Sequence, residues 1–301
     1  MKKAIKEPLI FIIFALLQYI LFALQFNPLI TLMFVPLYTF FAKENFALRF
    51  VISYIVAAAV LGLVGKPQTA FAYMLIVYIV PLAIHILLKY KKGYVLDFSI
   101  LTGGFLIYQV LSIKAVKHLY RVDIVNGLIS FLKNMLGEYF KDLNEPVLID
   151  KFAEFIKLMV PGFVIIEAIT LGIVAYFLVK WSSKRLRIEK DFLNFEKLFM
   201  PREVTVGVVV FFILSFFLTQ VNLLYVVASN MMIILSWLLF IQSLSLIYAA
   251  AVDRVSSSFF RNLIMFIVII FGIQFFVVMI LVGFLDLVFD FKKRNPKRVK
   301  L

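Results

Sequence analysis

The chain has 301 residues, of which 64% are apolar and only 16% charged, where a soluble domain is about half apolar and a quarter charged. The net charge of +14 sits almost wholly between apolar blocks, which is how topology-setting charge is distributed, so it calls for no nucleic-acid partner. Cysteine is absent and histidine occurs only at His85 and His118; disulfides, thiolate nucleophiles, catalytic cysteines and a zinc site are excluded together, and no metal or cofactor is expected.

The apolar blocks run over 9–26, 28–41, 46–65, 70–88, 94–113, 158–179, 204–221, 223–251 and 263–285. Most match the roughly 20 residues that a helix needs to cross about 30 Å of hydrocarbon. They do not alternate as barrel strands would. The fold class predicted is all-α: a polytopic transmembrane bundle of eight or nine spans. The amino end has the look of a signal peptide, but no small-residue cleavage site follows, so 9–26 reads as an uncleaved first span. The second block is short and holds Pro28 and Pro36; it is either a tilted span or a re-entrant piece.

Short loops rich in Lys and Arg stay in the cytoplasm. With the amino terminus inside, Lys2, Lys3 and Lys6, then Lys43 and Arg49, then Lys89, Lys91 and Lys92, and the seven basic residues from Lys180 to Arg202 all fall inside. Residues 1–180 therefore read as a six-span unit, 181–203 as a cytoplasmic basic loop, 204–291 as three further hydrophobic helices and 292–301 as a basic tail. Three late spans would leave the six basic residues of that tail outside, against the rule. Either one late block fails to cross or the tail is an exception.

The connection 114–157 carries an amphipathic helix on Leu128, Leu132, Met135, Leu136, Tyr139 and Leu143, ending or restarting at Pro146. It reads as a helix on the outer membrane surface, or as a lid. On the other side, Phe192, Phe195 and Phe199 predict a short interfacial helix within 181–203, with partner docking as the alternative.

Polar groups at membrane depth are the candidate binding residues. Glu167 is the lone acid in the middle of a block, and an ionised carboxylate there must be paired, neutralised or wet. Ala168 and Gly172 lie beside it as a small-residue stripe, so Glu167 is expected to face protein. Gln109, Asn230 and Gln242 join it as candidate substrate-binding residues, or else they make hydrogen bonds between helices. His85, four residues after Pro81, is expected to bond the backbone carbonyl that the proline frees. Asp286, Asp290, Arg294, Arg185 and Arg187, at span ends, are candidate partner contacts. Paired carboxylates, a phosphate-binding glycine loop, HExxH and Gly-x-Ser-x-Gly are absent, so no enzyme activity is expected.

Several stretches carry a resemblance: Leu198-Phe199-Met200-Pro201, Asn222 to Asn230, Gln242-Ser243-Leu244-Ser245, and the run from Gly283 to Arg294. They are similar to the YybS-like family, bacterial multi-pass membrane proteins with a domain of unknown function. The proline-bearing second block followed by Lys43 to Arg49 resembles that family's amino-terminal part. The family is in turn distantly similar to the S components of energy-coupling-factor transporters, six-span proteins that seize vitamins or metal ions and dock on an ATPase-driven module. The resemblance implies a bacterial cytoplasmic membrane, a small solute and a membrane-embedded or ATPase partner subunit. One departure is the first block, which offers Ala15 and Ala23 eight apart in place of the Ala-x-x-x-Ala docking stripe. The expectations are thus a solute-binding component of an uptake system, or a membrane scaffold that recruits protein partners.

Overall fold

The computed structural model describes residues 27–43, 75–90, 93–139, 146–199 and 222–291, together with residues 52, 55, 59, 207 and 210. The first block, most of the third and seventh, and the tail with Arg294 lie outside the described residues. All regular elements described are helical. The chain divides into two compact units, one of residues 1–160 and 164–192 and one of residues 161–163 and 193–301.

The first unit opens on α1 (Pro28–Met33) and α2 (Val35–Lys43). Asn27 caps α1 by accepting from Leu29 N at 2.9 Å, and Pro28 fills the first turn, where no N–H is needed. The helix breaks at Phe34 because Pro36 has no N–H for the carbonyl of Leu32. The second block is therefore two short helices. Helix α3 (Ile79–Lys89) follows a turn at Tyr78, where Pro81 denies a donor to the carbonyl of Val77.

Helices α4 (Tyr94–Tyr120), α5 (Ile124–Tyr139) and α6 (Pro146–Arg185) complete this unit, apart from residues 161–163 of α6, which belong to the second. Two glycines let the helices close up. A β-carbon on Gly104 would come within 2.7 Å of Ala83 Cβ, and one on Gly172 within 2.6 Å of Thr102 Oγ1, so α3 and α6 meet α4 at nearly backbone distance. Leu101, Phe105 and Tyr108 fill the seam. The predicted amphipathic helix is α5, and α6 restarts at Pro146 as expected. On α5, Ile124, Leu128, Phe131 and Met135 form an exposed apolar stripe.

The stretch after α6 differs from its prediction. In place of an interfacial helix, 186–194 is irregular and only Phe195–Lys197 makes a 3₁₀ turn. Its aromatic rings turn onto the helices. Phe192 packs edge-on to Tyr176 in the first unit, and Phe195 packs on Tyr248 in the second. A ring with a helix to cover is better buried there than left at the interface.

The second unit holds α7 (Asn222–Arg254), α8 (Ser258–Gln274) and α9 (Phe276–Phe289). Trp237 and Phe240 stack with centroids 5.2 Å apart, and Phe276 lies 5.4 Å from Phe240. A β-carbon on Gly283 would overlap the carbonyl oxygen of Leu239, so α9 rides directly on the backbone of α7. Among the described residues three helices are long and apolar enough to cross a membrane, over Tyr94–Tyr120, Ile149–Arg185 and Tyr225–Arg254. The α8–α9 pair passes the same test only together and is bent by 112°. The other crossings expected from the sequence fall on shorter helices or outside the described residues.

Candidate functional site

A buried polar cluster lies within the first unit, between α1, α2, α3 and α4. Thr31 Oγ1 donates to Tyr108 Oη at 2.8 Å, with the Asn27 carbonyl at 3.3 Å. Tyr38 and Tyr78 are also withdrawn from the surface, with Tyr38 near enough to both Tyr78 and Tyr108 to interact electrostatically. Gln109 and Ser112 follow Tyr108 on the buried face of α4. Gln109 is 4% exposed, and among the described residues neither its amide oxygen nor its nitrogen has a hydrogen-bond partner. A buried amide left unmatched costs about 1–3 kcal/mol.

The five residues of this cluster, Thr31, Tyr38, Tyr78, Tyr108 and Ser112, carry hydroxyls and no charge, and Gln109, next to Tyr108 in the chain, adds a buried amide. They can donate and accept hydrogen bonds to a neutral polar molecule, and they offer no counter-ion. No group of three or more metal-ligating side chains occurs among the described residues.

A charged lock stands at one end of the same unit. Lys190 Nζ lies 2.9 Å from Asp97 Oδ1 and also donates to the carbonyls of Tyr90 at 3.1 Å and Leu87. All three ammonium donors are thus matched. Nearby, Lys43 Nζ reaches the Leu186 carbonyl at 3.3 Å and His85 Nδ1 pairs with the Ala42 carbonyl at 3.0 Å. The carbonyl that His85 reaches is across the bundle, not the one freed by Pro81. These contacts gather residues 42–43, 85–97 and 186–190 at one end.

The other candidates are placed as follows. Asn230 accepts from Gly162 N at 2.6 Å and donates to the Val226 carbonyl at 2.8 Å; it caps the backbone beside Pro161, the proline inside α6. Gln242 Nε2 donates to Asp286 Oδ2 at 2.5 Å. Both amides are employed within the fold, which leaves Gln109 as the candidate binding amide. Asp286 is 0% exposed, so it is a core residue of the α7–α9 contact rather than a partner contact. Asp290 ends α9 in the left-handed conformation, half-buried. Arg185 and Arg187 are exposed, Arg185 lying 5.8 Å over the Trp181 ring.

Glu167 departs from its expectation. Ala168 and Gly172 do pack inward, but the Glu167 side chain is exposed, on the face that also presents Phe163 and Val174. One residue of helix is 100° of rotation, enough to carry Glu167 off the packed stripe. Thr31, Tyr108 and the Lys190–Asp97 pair were not singled out from the sequence. Tyr in an apolar block reads as one more aromatic, and a pair 93 residues apart leaves no local spacing to detect.

A family model described as a predicted membrane protein, DUF2232, matches residues 9–287 of the chain. No curated protein and no solved structure matches it.

Proposed function

Because the chain belongs to the DUF2232 family of predicted membrane proteins, we propose that it is the solute-binding component of a membrane uptake system, holding a small neutral polar molecule against α4. The observation that carries this reading is the amide of Gln109, buried and unmatched on α4, the residue after the Tyr108 that Thr31 bonds. The likeness to YybS-like proteins, and through them to S components, supports the same assignment for residues 1–180. The reading places the chain in a bacterial cytoplasmic membrane with its amino terminus inside and assigns it no catalytic step. In its favour, the segments that charge counting puts inside, around Lys43, Lys89 and Lys190, meet at one end of the first unit. A thermal-shift screen of the purified protein against neutral polar solutes tests it. At least one class should raise the melting temperature of the wild type and leave Gln109→Leu unmoved. A broad screen with no such compound would overturn the reading.

A second reading, a membrane scaffold or the docking of a partner subunit, rests on Glu167. A carboxyl on the outward face of a spanning helix is costly in lipid, and a transmembrane partner offering a donor removes that cost.

A further inference from the structure

We propose that α8 and α9 form a re-entrant hairpin, which enters the membrane and leaves it on the side where α7 ends, so that the basic tail is cytoplasmic. This stands independently of any solute. Helix α8 starts at Ser258, four residues after Arg254 closes α7. Its far end is fixed by Gly272, where a β-carbon would lie 3.3 Å from the Phe240 ring. Phe240 is near the middle of α7, roughly 20 Å from the Arg254 end at 1.5 Å per residue. Helix α8 therefore reaches the middle of α7 and goes no further.

Helix α9 then turns back. Phe276 packs on Trp237 and Phe240, Gly283 on Leu239 and Asp286 on Gln242. From Gly283 on Leu239 to Asp286 on Gln242 the residue numbers rise together by three along both helices, so this part of α9 runs in the direction of α7, toward the Arg254 end. A single broken span would carry Phe289 the other way. The 112° bend is too sharp for one continuous crossing.

An elbow at membrane depth must keep its backbone groups bonded. Here Phe275 N donates to the Phe271 carbonyl at 2.9 Å and Met279 N to the Phe275 carbonyl at 3.1 Å. The bend thus leaves both of these main-chain donors satisfied. On the side that faces α7 the elbow packs against an apolar cluster of Met279, Phe240 and Phe276.

This arrangement removes the conflict between the late blocks and the tail. With α8 and α9 returning to their own side, Arg254, Arg261 and the six basic residues from Lys292 to Lys300 share one face. Short segments rich in Lys and Arg mark that face as cytoplasmic.

The chain contains no cysteine, so single cysteines report their own position. Ser256→Cys, Lys300→Cys and Phe275→Cys are to be treated with a membrane-impermeant maleimide in right-side-out and in inverted vesicles. Cysteines 256 and 300 should both react in inverted vesicles and lose that labelling in right-side-out ones, while the cysteine at the elbow stays unlabelled in both. Labelling of 256 and 300 from opposite faces would overturn the hairpin, as would labelling of the elbow from the outer face. Reaction of both from the outer face would overturn the cytoplasmic placement. Ser256 is exposed and Lys300 is in the tail, so both substitutions test the proposal even if the elbow variant fails to fold.

Discussion

Lys190 Nζ and Asp97 Oδ1 lie 2.9 Å apart with side chains only 3% and 2% exposed, joining the segment after α6 to the first turn of α4. A buried pair is weak support for stability as a whole, but removing one partner strands the other. Lys190→Met and Asp97→Asn should each lower stability, by about 3–5 kcal/mol for the variant that leaves a bare charge. The double variant Lys190→Met with Asp97→Asn should recover much of that loss. Thermal unfolding in detergent of all three checks the cycle; equal and additive losses would show that the pair is not coupled.

Asp123 answers to pH. The Lys117 ammonium, donating at 2.8 Å, and the Asn126 amide, donating at 3.1 Å, hold its carboxyl below the usual carboxylate range. A group with a depressed value stabilises the fold above its unfolded value, about 3.9, and loses that contribution as pH falls through the folded value. The start of α5 should therefore loosen below about pH 4. A spin label at Asn134→Cys should become more mobile on acidification in the wild type. With Asp123→Asn its mobility should be raised already at neutral pH and should not change further.

The contact of α9 on α7 depends on a missing side chain. Gly283→Ala puts a methyl into the Leu239 carbonyl, and backbone cannot yield as a side-chain tip can. The expected loss is about 1–3 kcal/mol. Gln242→Leu removes the donor to Asp286 and should cost about 1–3 kcal/mol, whereas Asp286→Asn keeps an acceptor for Gln242 and should cost less. Melting temperatures ranked in any other order would contradict this account of the seam.

Gln109→Leu should act with the opposite sign. Replacing an unmatched buried amide by an apolar side chain of similar size should stabilise the ligand-free protein by about 1–3 kcal/mol. The same variant should lose the thermal shift with solute. A destabilised Gln109→Leu would mean that the amide is employed within the fold.

Glu167→Leu separates the second reading from the first. Its side chain is exposed, so the melting temperature of the isolated protein should not fall. Recovery of a membrane-embedded partner by crosslinking in native membranes should drop if Glu167 is its contact, and solute binding should persist. Unchanged crosslinking would remove Glu167 from any interface.

The small-residue stripe and the lone acid show how far local reading reaches. Gly172 and Ala168 were legible as packing residues because a close helix approach requires them. The direction of Glu167 was not, since a single residue of rotation decides between packed and exposed. The amides show the same limit. Asn230, Gln242 and Gln109 are alike as residue types at membrane depth, and only their neighbours Gly162, Asp286 and the hydroxyl cluster distinguish two structural bonds from one unmatched group.

Length and hydropathy by themselves determined that this is a helical membrane protein and that Pro146 ends or opens a helix. Those conclusions follow from the thickness of hydrocarbon and the cost of unbonded backbone, which act on every segment separately. Tertiary structure decided what depends on two segments at once. It withdrew Asp286 into the core, closed Lys190 on Asp97, and set the elbow at Phe275 against the middle of α7. A block of apolar residues is long enough to cross whether or not it does; the packing of Gly272 on Phe240 and Gly283 on Leu239 turns this one back.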